Sequence, residues 1–135
     1  MDKNRSMPPS TIIPELPYPN VREAVDWLCK SFGFSERLQI GNHRAQLVFG
    51  GGSIVVTQGN NTNASFSVMV RVEDVNSQHE RAKQSGAKIV SPPEDYPYGE
   101  RQYTADDLGG HRWTFSQTLE DTDPSSWGGT LHSQA

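Results

Sequence analysis

The sequence has 135 residues, enough for one domain with its own core, since a chain near 150 residues buries about two-thirds of its unfolded surface. A net charge of −4 supplies no basic field and excludes tight electrostatic binding to nucleic acid or to an anionic membrane surface. The single cysteine, Cys29, excludes an internal disulfide and a cysteine-rich zinc site; no apolar run approaches the ~18 residues of a membrane span, and the polar start MDKNRSMPPS does not read as a signal peptide, so a cytoplasmic location is expected.

Along the chain, residues 1–10 read as a flexible, Pro-rich head. An extended run, TIIPEL, leads to a helix over 20–32, where Val21, Ala24, Val25, Leu28 and Phe32 recur at helical spacing. Asn20 and Glu23 form its cap pair and Gly33 its stop. Cys29 falls within this helix, as a small packing residue rather than a nucleophile. Three strands are expected at 36–40, 44–49 and 53–58, with GGG at 50–52 making the last turn. The strand-like FSVMVRV then precedes a second helix over 74–85, opened by Asp74 and closed by Gly86, with Val75 and Ala82 on one side. Further strands are expected at 87–90, 101–105 and 111–117, the last two joined by the turn DDLGG. Between the first two, SPPEDYPYG is expected to be a loop because its prolines interrupt any ladder. The tail, 118–135, is linker-like except for Trp127, which is too large an apolar group to leave in water and is expected to dock on the domain or on a second subunit. The chain thus reads β-α-β-β-β twice, as one α+β domain over 11–117 built from modules at about 11–58 and 66–117.

Alternation divides the strands into two faces. Tyr103 and Ala105 fall in phase with Trp113 and Phe115, a surface for the helices to cover, and the opposite face carries Glu100, Gln102, Thr104, Arg112, Thr114 and Ser116. In the first module Ala45, Leu47 and Phe49 define the covered side, leaving Arg44, Gln46 and Val48 opposite. Polar but not uniformly charged second faces point to a concave, partly wet cavity. No phosphate-loop or nucleophile-elbow signature occurs; FGGGS lacks the following Lys-Ser/Thr pattern.

The doubled βαβββ pattern, the helix NVREAVDWLCKSFGF, the unit VEDVNSQHERAKQSGAKI and the hairpin ADDLGGHRWTF together resemble the vicinal oxygen chelate superfamily of glyoxalases, extradiol dioxygenases, and fosfomycin- and bleomycin-resistance proteins, over about residues 11–117. The resemblance implies two modules forming a cup-shaped half-barrel, a small-molecule ligand in the cup and a homodimer, here with Trp127 buried. It also implies that metal-dependent relatives take His, Gln or Glu from the first and last strands of each module. Those positions fall at about Ile13, Val56, Ser67 and Thr114, and a shift of one residue brings in only Ile12, Pro14, Val55, Thr57, Phe66, Val68, Trp113 and Phe115. None is a typical ligand, His43, His79, His111 and His132 do not converge in such a fold, and no metal or other cofactor is expected.

The expected site is therefore a binding cup: Glu100, Gln102, Thr104, Arg112, Thr114 and Ser116 form its polar wall, Arg44 and Gln46 extend it from the first module, and Tyr96 and Tyr98 close over a planar or amide-bearing ligand. Beside this stands a structural alternative, in which Arg44 and Arg112 pair with Glu15 or Glu100 and the tyrosines pack on the chain's own surface. Three functional classes follow. They are a drug- or metabolite-sequestering protein of the bleomycin-resistance type, a metal-free lyase or isomerase using Glu100 or Glu15 as general base, and a metalloenzyme with unusual ligands.

Overall fold

The computed structural model describes residues 4–61 and 67–131; Phe66 and His132, named above, lie outside the described residues. The first module runs β1 (Glu15–Tyr18), α1 (Val21–Phe32), β2 (Ser35–Ile40), β3 (Arg44–Phe49) and β4 (Gly52–Gln58). The second runs β5 (Ser67–Arg71), α2 (Val75–Gln84), β6 (Lys88–Tyr96), β7 (Glu100–Asp106) and β8 (Arg112–Thr118), followed by a 3-10 turn at Pro124–Trp127. Each module is a four-stranded mixed sheet, ordered β1-β4-β3-β2 or β5-β8-β7-β6, whose first strand pairs parallel with its last. The expected α+β architecture of two βαβββ modules is what the chain adopts.

The helices form where local chemistry satisfies their ends. The Asn20 side chain accepts the Glu23 amide, and Gly33, at φ 89°, takes the left-handed conformation that closes α1 at little steric cost. At α2 the Asp74 carboxylate accepts both the amide and the hydroxyl of Ser77, which hold its pKa below the usual range. Val21, Ala24, Val25, Leu28 and Phe32 of α1 all turn inward. Phe32 reaches into the other module, meeting Trp113 and Phe115 edge-on with ring centroids 5.6 and 4.9 Å apart. Arg81 of α2 returns the contact by donating to the Lys30 and Cys29 carbonyls at the end of α1, at 2.9 and 3.2 Å, where a positive charge also suits the helix dipole. Burial pushes the Cys29 thiol pKa up, the opposite of nucleophile activation.

Asp107 makes the second link between modules. Its buried carboxylate accepts the Tyr18 hydroxyl at 2.7 Å, the Trp113 indole N–H at 2.9 Å, and the amides of Gly109 and His111. Burial first, and Asp107 beside it, drive the Tyr18 hydroxyl pKa far up, so it remains a neutral donor.

Two expectations need correction. The SPPEDYPYG segment is not a loop at its start, because β6 continues through Pro92 and Pro93 to Tyr96. It can do so because β6 is an edge strand, where missing amide donors cost no central ladder bond, and because its pairing with β7 shifts register between Ile89 and Ser91 and again between Ser91 and Glu94. The first strand lies later than TIIPEL. It begins at Glu15, although the Pro14 carbonyl already accepts the Val55 amide at 2.9 Å.

Candidate functional site

Because opposed residues in an antiparallel pair share a face, the register of β6, β7 and β8 assembles the site's wall. Gln102 faces Ser116, Thr104 faces Thr114, and Asp106 faces Arg112, all on the side away from the helices. Tyr96 joins this side opposite Glu100, and Glu94 opposite Gln102. A hydrogen-bonded chain runs along it: Tyr98 donates its hydroxyl to Gln102 Oε1 at 3.2 Å, Gln102 Nε2 donates to Ser116 Oγ at 3.0 Å, and Ser116 donates to Glu100 Oε1 at 2.6 Å. Thr104 and Thr114 share a hydrogen bond at 3.1 Å. Tyr96 stacks on Tyr98 with centroids 5.5 Å apart, and partial desolvation, with Glu94 nearby, raises the Tyr96 pKa so that its hydroxyl stays protonated. Arg112 lies at the margin and pairs with Asp106 at 2.9 Å, not with Glu100.

The corresponding face of the first module is occupied by the chain itself. Gln46 points to it, as alternation predicts, but is only 5% exposed: it donates to the Ser6 carbonyl at 2.8 Å and accepts from Arg37 at 2.6 Å. Arg37 also donates to the Arg5 carbonyl, the Ser10 hydroxyl lies 2.7 Å from that of Ser53, and Pro8 is buried. Residues 5–10 thus lie across this sheet. Arg44 forms an exposed ion pair with Glu15 at 2.7 Å, which is the structural alternative raised for it above. Within one chain the structure does not bring Arg44 and Gln46 to the Gln102–Ser116 array. Among the described residues, the hydrogen bonds and ring contacts that join the modules involve the helices, the core and the Asp107 turn.

A sizeable cavity, about 1050 Å³, lies elsewhere. It is a groove between the β3–β4 turn and the free edge of β5, floored by Phe32, Phe34, Phe49 and Trp113. Its prominent polar groups are already engaged: Arg81 on the α1 carbonyls, Asp74 on Ser77, and Gln117 on the Val75 amide. Size alone would favour this groove. Chemistry favours the β7–β8 wall, whose polar side chains close no helix end.

A family model described as the glyoxalase/bleomycin resistance protein/dioxygenase superfamily matches residues 14–115, from the residue before β1 to Phe115 in β8. The chain belongs to this superfamily. Comparison with curated proteins gives no match. Among solved structures the chain is similar to TioX from Micromonospora sp. ML1, at 36% identity and TM-score 0.70, covering 84% of this chain and 100% of that one. It is also similar to TnmS3, an antibiotic binding protein from Streptomyces sp. CB03234, at 23% identity and TM-score 0.67, covering 78% and 93%. The fosfomycin resistance protein FosX from Listeria monocytogenes shares the fold at 15% identity and TM-score 0.68, covering 80% and 92%.

The donors at the superfamily's metal positions do not fit a divalent cation. The in-register pairs on the open faces of the first and last strands are Glu15 with Val55 and Met69 with Thr114. Glu15 is tied to Arg44, Thr114 to Thr104, and the other two offer a hydrocarbon and a thioether. Val56 points into the core, and Ile13 precedes the strand. Among the described residues no three His, Cys, Asp or Glu converge. His79 packs on Tyr103 at 5.2 Å, and His111 lies with Nε2 2.7 Å from the Pro17 carbonyl.

Sequence reasoning anticipates one participant, the docking of Trp127, and misses another, the head, which it reads as flexible. Trp127 packs edge-on against Tyr98 at 5.5 Å, so the tail docks on the domain at the wall itself. Only the size of Trp127 in a linker-like segment hinted at this. The head's position over Gln46 had no sequence signal beyond two adjacent prolines.

Proposed function

We propose that this superfamily member sequesters a small drug or metabolite, unchanged and without a metal, on the polar wall of its second module. The observation that carries this reading is the Tyr98–Gln102–Ser116–Glu100 hydrogen-bonded chain on a sheet face that no helix covers. Such an array of donors and acceptors beside stacked tyrosines suits a planar ligand bearing amide or hydroxyl groups. Similarity to an antibiotic binding protein supports a small drug as the kind of ligand. A general-base role has weaker support, since Glu15 faces Arg44 and Glu100 already accepts a short hydrogen bond from Ser116.

The wall of one chain lacks an opposing wall, so the working form is a homodimer in which a second copy completes the cup. The unpaired edge of β5, Met69 at 59% exposed and the apolar groove beside that strand favour self-association. Light scattering is expected to give twice the 15.0 kDa chain mass. The functional test is a thermal-shift screen of planar aromatic and amide-bearing compounds, followed by mass spectrometry of the recovered hit. Stabilisation with the compound recovered intact is expected; a chemically altered compound would establish an enzyme instead.

A further inference from the structure

We infer that Trp127, with Tyr98 and Tyr96, forms a stacking site for a planar aromatic ring at the edge of the second module's wall, and that the tail thereby helps set ligand specificity. This rests on the binding reading above but concerns a segment beyond the matched superfamily region, which ends at residue 115.

Four observations support it. First, Trp127 is 45% exposed although it sits on an ordered turn, and none of Pro124–Trp127 is buried, so the turn adds nothing to the core. Second, that turn is well built: Asp123 caps it through the Ser125 amide and hydroxyl, and the Gly129 amide closes it on the Pro124 carbonyl at 2.8 Å. Third, its approach is fixed by Gly99. Both the Leu119 and Glu120 amides donate to the Gly99 carbonyl, and a Cβ at Gly99 would lie 2.5 Å from the Glu120 carbonyl oxygen and 2.6 Å from the Thr122 hydroxyl. Gly99 also sits at φ +82°, so an alanine there is disfavoured twice. Fourth, Trp127 meets Tyr98 at 64°, a T-shaped contact rather than a stacked one, and keeps 45% of its surface exposed beside that ring.

The occupant follows from the neighbours. Tyr98 joins the aromatic group to the Gln102–Ser116–Glu100 chain, so a ring on the aromatic side would hold its attached amide or hydroxyl against that chain. Trp127 stands half in water beside polar groups, as a ligand-contacting indole does.

The experiment uses the full chain and acridine-9-carboxamide, a planar tricycle bearing an amide, with binding followed by probe fluorescence. Trp127→Ala is expected to weaken binding about tenfold or more, Trp127→Phe to restore it to within about threefold of the parent, and Gly99→Ala, which displaces the tail, to match Trp127→Ala. Urea melts should show Trp127→Ala as stable as the parent. If Trp127→Ala binds like the parent while Gln102→Ala loses binding, the tail is packing only: the inference fails and the binding reading stands. If Trp127→Ala changes dimer mass without changing probe affinity, the indole belongs to the subunit interface and the inference also fails. A parent protein that does not bind the probe counts against both readings.

Discussion

Asp107 shows how much of the molecule rests on single polar groups. Two of its four donors, the Tyr18 hydroxyl and the Trp113 indole, belong to buried side chains that would be left without an acceptor in Asp107→Ala. Each such orphaned donor costs ~1 to 3 kcal/mol, so urea melts of Asp107→Ala should show a loss of about 3 kcal/mol or more. A loss under about 1 kcal/mol would mean that Asp107 does not hold the modules together. The surface pair Arg22–Glu36, at 2.8 Å, behaves differently. Arg22 lowers the Glu36 pKa, so this carboxylate stabilises the fold above its unfolded pKa and the contribution disappears as pH falls through the lower, folded value. Glu36→Gln should therefore reduce stability at pH 7 by only ~0.5 kcal/mol, with the difference from the parent shrinking as the pH falls below the ordinary glutamate range. A difference that stays constant as the pH falls would contradict the assignment. The sheet faces of Gln102, Ser116 and Trp113 were legible because alternation along a strand is local. The role of Asp107 was not, because its partner Tyr18 lies 89 positions away.

At the scale of elements, both helices and their stops could be read from caps and spacing, since Asn20, Asp74, Gly33 and Gly86 act on their immediate neighbours. The strand through Pro92 and Pro93 could not. Proline argues against a ladder only where its missing donor is needed, and whether β6 is central or at an edge depends on the order of the whole sheet. The head poses the same problem, because its contacts are with residues about forty positions away, Gln46 and Ser53. Removing residues 1–9 should free the Gln46 amide from the Ser6 carbonyl and expose the buried Gln46 side chain. The expected result is a stability loss of ~1 to 2 kcal/mol in urea, with faster amide exchange in β3 and β4. Unchanged melts and exchange would show that the head does not rest on this sheet in solution.

For the whole molecule, duplication of a βαβββ module explains why one side of each sheet is core; the other side is covered by residues 5–10 in the first module and left to polar side chains in the second. The helices pack together with Phe32 and Arg81 bridging, and the second module's open face keeps polar side chains that a solvent-excluded core would not tolerate. That face is the proposed binding wall, and the apolar groove along β5 is the proposed seat of a second copy. Chemical-shift mapping on the full-length protein with a screened ligand distinguishes the two surfaces directly. Perturbations should cluster at Tyr98, Glu100, Gln102, Thr104, Thr114 and Ser116, with the ligand unchanged after the titration. Perturbations centred instead on Phe34, Phe49, Arg71 and Asp74 would place binding in the groove and remove the β7–β8 wall from the site.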